Sequence, residues 1–189
     1  MADSSSQKVM SDSRKIMFFG NVKEDSVKEI VNSLLDLEQK DPIKDILLYI
    51  DTYGGEVDGA MAIHETINTI SCRVAGICIG KAMSAGSFIL MSCTQGLRFM
   101  SPNSRIMMHE MAGGSWGCFS YVDNEITELR RLQELWLKLT VKYTKMNTTE
   151  AKKLLQQNSS YLTAQEAVER GIVDEVLSSN SQLRKKVNI

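Results

Sequence analysis

Three places in the chain carry residue types suited to acyl transfer: Ser84, His109 and the pair Gly54-Gly55. Ser84 lies in Gly80-Lys-Ala-Met-Ser-Ala-Gly-Ser-Phe-Ile-Leu90, between an apolar run from Val74 to Ile79 and another from Phe88 to Met91. Its small neighbours Gly80, Ala82, Ala85 and Gly86 let the backbone turn sharply and let another segment come close. A strand, a sharp turn bearing a serine and then a helix is the layout of a nucleophile elbow, although no literal G-x-S-x-G is present. Taken alone, the same residues describe an ordinary strand-to-helix turn. A serine hydroxyl needs a base, and the chain has only two histidines, His64 and His109. His64 falls inside a helical pattern, which suits a structural role. His109 closes a short apolar run from Ile106 to Met108. Gly54-Gly55 follows the run from Ile46 to Ile50, where backbone N–H groups can face a developing oxyanion; alone it reads as a tight turn. In a parallel sheet the three strand ends share one carboxyl edge, where α/β sites form. Together they supply a nucleophile, a base and oxyanion donors.

The elements that must position these residues follow from periodicity. Short apolar runs at 15–19, 46–50, 74–79, 97–100, 106–108 and 173–177 read as strands, with Gly20-Asn21 turning the first. Val27, Ile30, Val31, Leu34, Leu35 and Leu37 recur at helical spacing, so a helix spans 25–40 and stops at Asp41-Pro42. Ala60, Met61, Ile63, Ile67 and Ile70 mark a second helix, and Ser84 opens a third. From Ser120 to Lys145 one long helix carries Val122, Ile126, Leu129, Leu132, Trp136, Leu139 and Tyr143 on one face, a stripe long for so small a domain. Asn147 to Thr149 can cap another helix with Glu150 in its first turn, and Thr163-Ala-Gln-Glu166 is a capping box for a helix ending at Gly171. Strands alternating with helices predict an α/β domain of parallel βαβ units with right-handed crossovers. Residues 1–14 read as a flexible polar arm, 15–177 as a single domain, and 178–189 as a loose basic tail.

Composition narrows the function. The chain has 189 residues, 43% apolar and 24% charged, with a net charge of −1. That suits one globular domain and gives no electrostatic reason to expect nucleic acid or a membrane surface as partner. No apolar run approaches the ~20 residues of a bilayer span, and no signal peptide opens the chain. The four cysteines, Cys72, Cys78, Cys93 and Cys118, form no C-x-x-C pair, and two histidines exclude a multi-histidine metal site. They read as reduced thiols of a cytoplasmic protein. No G-x-x-x-x-G-K-[ST] is present, so ATP binding is not expected of this chain.

Four motifs, in order, resemble those of the Clp protease proteolytic subunit, a member of the crotonase-like superfold: Tyr53-Gly-Gly-Glu-Val57, Gly80-Lys-Ala-Met-Ser-Ala-Gly86, Arg98-Phe-Met-Ser-Pro-Asn-Ser-Arg-Ile-Met-Met-His109, and Tyr161-Leu-Thr-Ala-Gln-Glu-Ala-Val-Glu-Arg-Gly-Ile-Val-Asp174. The likeness runs from about Lys15 to Val176. It implies a crotonase-like fold of ββα repeats with a protruding handle helix, here about 120–145. It also implies a serine endopeptidase subunit with Ser84 as nucleophile, His109 as general base, and an oxyanion hole formed by the N–H groups of Gly55 and Ala85. No metal or cofactor is implied. The implied partners are copies of the chain, in seven-membered rings stacked into a tetradecamer, and a AAA+ unfoldase that delivers unfolded polypeptide; the polar arm would form axial pore loops.

The chain departs from that pattern at informative places. The family usually has Pro at the position of Tyr53, and Gln-Pro at Glu110-Met111. Its triad aspartate aligns with Ser159, or with Asn158 when counted forward from His109; neither is a carboxylate. Glu166, the nearest acid downstream, belongs to the capping box. An amide in that role would fix the histidine tautomer without supplying charge, so a slow or conditionally active peptidase is expected, or a weakly active or inactive structural subunit of a mixed ring. A crotonase-type acyl-CoA enzyme fits less well with the Ser84–His109 pairing and the short length. A Ser-Lys dyad through Lys81 is disfavoured because a residue three before Ser84 points away across the turn.

Overall fold

A computed structural model describes residues 14–157 and 159–189. In chain order the elements are β1 (Lys15–Val22), α1 (Glu24–Lys40), β2 (Ile46–Gly55), α2 (Val57–Thr69), β3 (Val74–Met83), α3 (Ala85–Ser92), β4 (Arg98–Met100), β5 (Arg105–Met108), α4 (Phe119–Tyr143), α5 (Thr148–Leu155), β6 (Ser160–Thr163), α6 (Ala164–Glu169), β7 (Glu175–Val176) and α7 (Asn180–Arg184). Strands β1-β2-β3-β4-β7 pair in that order, all parallel, and β5 joins β3 in parallel and β6 in antiparallel pairing. The α/β expectation holds, and the long helix lies within a residue or two of its predicted bounds.

The β-strand period of two sorts the core into two layers. Along β2, Ile46, Leu48 and Ile50 face the main core with α1, α2 and α3, while Leu47 faces a second cluster with Ala75, Ile77 and Phe99. All eight residues of α3 are buried, so this helix threads the main core and brings its N-terminus to the sheet edge. Helix α4 is different. Of its 25 residues only Trp136 and Thr140 are buried, and Ile126, on the predicted apolar stripe, is 42% exposed.

Two strands outrun their apolar runs. β2 continues through Gly54-Gly55, which pair with Asn21 and Val22 of β1 past an irregularity in the register. β3 continues to Met83 because its two halves have different partners: Gly76–Cys78 pair with β4, and Lys81–Met83 pair with β5. At Gly80 the missing side chain leaves room for Asp51, whose Oδ1 would lie 2.7 Å from a Cβ. That carboxylate accepts from the Lys81 N–H and the Lys81 ammonium, so the polar Gly-Lys step stays extended.

The C-terminal end differs from the sequence expectation. Most of the proposed arm lies outside the described residues. Arg14, at its inner end, donates to the carbonyls of Leu37, Asp41, Lys44 and Asp45, which ties it to the exposed carbonyls at the end of α1. The tail, expected to be loose, forms α7 and buries Leu183 and Val187 in the second cluster. Asn188 exchanges bonds with Asp45: its N–H donates to Asp45 Oδ2, and its carbonyl accepts from the Asp45 N–H. Two apolar residues four apart in a basic segment are enough to cover the open sheet face.

Candidate active site

Ser84 is the residue between β3 and α3, and its backbone sits at φ 52°, ψ −123°. A side chain rarely adopts this region. Four hydrogen bonds hold it there: the Ser84 N–H donates to the Met107 carbonyl at 2.7 Å, and the Ser84 carbonyl accepts from the Ser87 hydroxyl at 2.6 Å, the Ser87 N–H at 3.0 Å and the Phe88 N–H at 3.4 Å. The β3–β5 register then does the positioning. Met83 lies opposite Met107, so the residues just past each strand end meet, and His109 Nε2 lies 2.8 Å from Ser84 Oγ.

Glycine makes the close packing around this pair possible. A Cβ on Gly54 would lie 2.6 Å from the Met83 carbonyl oxygen, 2.9 Å from the Ser84 Cβ and 3.0 Å from the Ala85 nitrogen. Gly54 also has φ 96°, and its N–H donates to the buried Thr52 hydroxyl at 2.9 Å. The end of β2 is thereby laid directly on the turn at Ser84. Gly55 and Ala85, the predicted oxyanion donors, line the same cleft as Ser84 and His109. The positive end of the α3 dipole points there as well.

The cleft has a volume of about 220 Å³. Its walls are mainly apolar, with Val57, Met108, Met111, Trp136 and Leu155 among them. Trp136 comes from α4 and stacks on Phe88 of α3, with ring centroids 4.0 Å apart. Tyr53 stands at the rim, 65% exposed, with the Lys81 ammonium 4.3 Å from its ring centre. Among the described residues lining the cleft, Glu110 is the one carboxylate.

The other candidates lie elsewhere. Lys81 is ion-paired with Asp51 at 2.8 Å. His64 is buried, 2.9 Å from the Ser92 hydroxyl through Nδ1 and packed against Phe88 and Tyr143, and burial lowers its pKa. Glu166 accepts from the Thr163 N–H and hydroxyl, which complete the capping box and lower its pKa. Asn158 lies outside the described residues. Ser159 lies one step past the last β5–β6 pair, Met108 opposite Ser160, and so across from His109 by count, yet it lines a separate polar cavity with Lys145, Lys153 and Tyr161. Among the described residues, no group of three or more His, Cys, Asp or Glu could hold a metal ion.

Three contributors carried no sequence signal of their own. Thr52 is one polar residue in an apolar strand. Trp136 is one member of a long stripe. Gln133, which accepts from the Met111 N–H at 2.7 Å, is a polar residue one turn before Trp136. The bond from the Gly54 N–H distinguishes Thr52 from its neighbours, and the packing of α4 on α3 and on the segment after His109 distinguishes Trp136 and Gln133.

A parallel α/β sheet here brings a serine and a histidine into hydrogen-bond contact at its carboxyl edge, where α/β sites form. The Clp protease family model matches residues 2–180, and the chain belongs to the Clp protease family. It is accordingly a peptide-bond hydrolase of protein degradation and a protease subunit of a compartmentalised protease. Among the described residues, no helix is long and apolar enough to cross a membrane.

Proposed function

We propose that the chain is a serine endopeptidase subunit in which Ser84 attacks peptide bonds of unfolded polypeptides. The observation that carries this reading is the 2.8 Å approach of His109 Nε2 to Ser84 Oγ at a strained backbone position. As base, His109 carries its own proton on Nδ1 and accepts the Ser84 proton on Nε2. The Ser84 oxygen adds to the substrate carbonyl carbon, and the oxygen that becomes negative faces the N–H groups of Gly55 and Ala85. The imidazolium then protonates the leaving amine. A water molecule, giving its proton to His109, hydrolyses the resulting ester. The apolar wall of Met111, Trp136 and Leu155 accepts the side chain next to the scissile bond. No metal or cofactor takes part.

Assembly into two stacked seven-membered rings is supported by α4, whose outer turns expose apolar side chains, Tyr121 and Ile126 among them, that the other described residues leave uncovered. Trp116, just before the helix, is 97% exposed, and Phe119, at its start, 88%. A AAA+ unfoldase would supply ATP-driven delivery, since the chain has no phosphate-binding loop of its own. A second reading, a weakly active or silent subunit of a mixed ring, is favoured by the serine at position 159, across from His109. A hydroxyl there leaves the imidazolium without a counter-charge, which costs up to ~10⁴ in turnover in the chymotrypsin-type case.

Fluorophosphonate labelling with peptide mapping tests the proposal. An adduct on Ser84, absent in Ser84→Ala, is the expected outcome, and no adduct in the assembled ring sinks it. Peptide hydrolysis by Asn158→Asp and Ser159→Asp separates the two readings: a gain from either identifies a subunit limited by its third residue.

A further inference from the structure

We propose that Gln133 of α4 is a positioning residue for His109, acting through the backbone of the segment that follows it. This inference rests on the reading of Ser84 and His109 as nucleophile and base. β5 ends at Met108, and the backbone of residues 109–116 then runs without helix or strand pairing. A segment so placed is free to shift, and His109 is its first residue. Among the described residues, the bond from the Met111 N–H to Gln133 Oε1, at 2.7 Å, ties the backbone of the segment's first four residues to a distant element, beside the contact of the His109 ring with Ser84.

The geometry makes this bond a junction. Both Met111 and Gln133 are partly buried, so leaving the N–H without an acceptor carries a desolvation cost and favours a shift toward water. Met111 lines the cleft of Ser84 on one side and, with Gln133, Leu129 and Leu137, a groove along α4 on the other. Trp136 stands one turn after Gln133 on the same face of α4 and is fixed by its stack on Phe88. A single turn of α4 therefore supplies a wall of the cleft and clamps the chain two residues after the base. Movement of α4, including any imposed by contacts on its exposed outer turns, reaches His109 through this bond.

Three variants and the two-histidine composition provide the test. Gln133→Leu removes the acceptor, Gln133→Glu keeps one, and Met111→Pro removes the donor so that no acceptor is needed. With histidine labelled at Cε1 with carbon-13 in the full-length protein, only His64 and His109 give ring signals, and His64→Asn assigns them. The His109 signal is expected to move in Gln133→Leu, to return in Gln133→Glu, and to show no Gln133→Leu effect in the Met111→Pro background. The rate of Ser84 phosphonylation should fall by about tenfold in Gln133→Leu, within the range a sub-ångström to 1 Å misplacement produces, and should recover in the same pattern. An unmoved His109 signal in Gln133→Leu, or equal effects of Gln133→Leu with and without Met111→Pro, overturns the proposal. This readout needs no activity, so failure of the peptidase reading shows itself separately as the absence of a Ser84 adduct.

Discussion

At the scale of single residues, the site is built on backbone conformations that most side chains avoid. Ser84 at φ 52° stores of the order of 1–3 kcal/mol of strain, held by its bonds to Met107 and Ser87. This gives a reversal that urea denaturation can detect. In the middle of a helix or strand, glycine is less stable than alanine by about 0.5–1 kcal/mol. At position 84 the order should invert, with Ser84→Gly at least as stable as Ser84→Ala, while neither variant forms an adduct. Gly54 sits in the opposite situation, with no strain of its own to relieve. At φ 96° with backbone atoms 2.6 Å and 3.0 Å from the site of a Cβ, Gly54→Ala should lose about 1–3 kcal/mol and push the turn at Ser84 away from β2. A fall in Ser84 labelling larger than the loss of folded protein would show that the close approach serves the site as well as the fold. Equal stability of Gly54→Ala and the parent would contradict the packing described.

At the scale of elements, one ion pair joins β4, β7 and the end of α4. Arg98, 2% exposed, donates from Nε and Nη2 to the two oxygens of Asp174 and from Nη1 to the Tyr143 carbonyl at 2.6 Å. The same carboxylate accepts the backbone N–H groups of Gly96 and Arg98. Burial pushes the Asp174 pKa up, but the bonds from Arg98 outweigh it and the pKa lies below the usual aspartate value. The folded pKa is below the unfolded one, so the stabilisation is fully present above pH ~4 and is lost as pH falls through the lowered value. Asp174→Ala leaves the Arg98 guanidinium buried without a counter-charge and should cost about 3–5 kcal/mol near neutral pH. Its urea midpoint should also respond less to acid below pH ~4 than the parent's does. A variant and parent with parallel acid profiles would show that the pair is not the titrating element. Because Tyr143 ends the helix that carries Gln133 and Trp136, this ion pair is also the anchor of the handle on the domain.

At the scale of the whole molecule, the sequence made the alternation of strands and helices legible, along with the helix cap within 147–149 and the capping box at Thr163, because those signals are local. What escaped it depends on partners distant in the chain. β3 reaches Met83 only because β5 arrives alongside, and β2 runs through Gly54-Gly55 only because β1 and the turn at Ser84 close over it. The pairing of Ser84 with His109 was legible as chemistry, but the distance follows from that β3–β5 register. The tail escaped for the same reason. Leu183 and Val187 look incidental in a polar segment until the sheet face formed by Leu47, Ala75, Ile77 and Phe99 is seen to need a cover. Removing residues 180–189 should therefore expose that face and leave the fully buried Asp45 with one partner fewer than the Arg73 and Asn188 it now has. Each lost aliphatic side chain is worth up to about 1.5–3 kcal/mol, so the truncated protein should melt several degrees lower and bind a hydrophobic dye that the full chain does not. The cover lies across the sheet from α3 and the Ser84 turn, so the labelling rate of the fraction that remains folded should be unchanged. An unaltered melting temperature would mean that the tail is as loose as its composition suggests. A changed labelling rate at full folding would mean that the two faces of the sheet are coupled through β3, whose Ile77 packs under the tail and whose Met83 leads directly into Ser84.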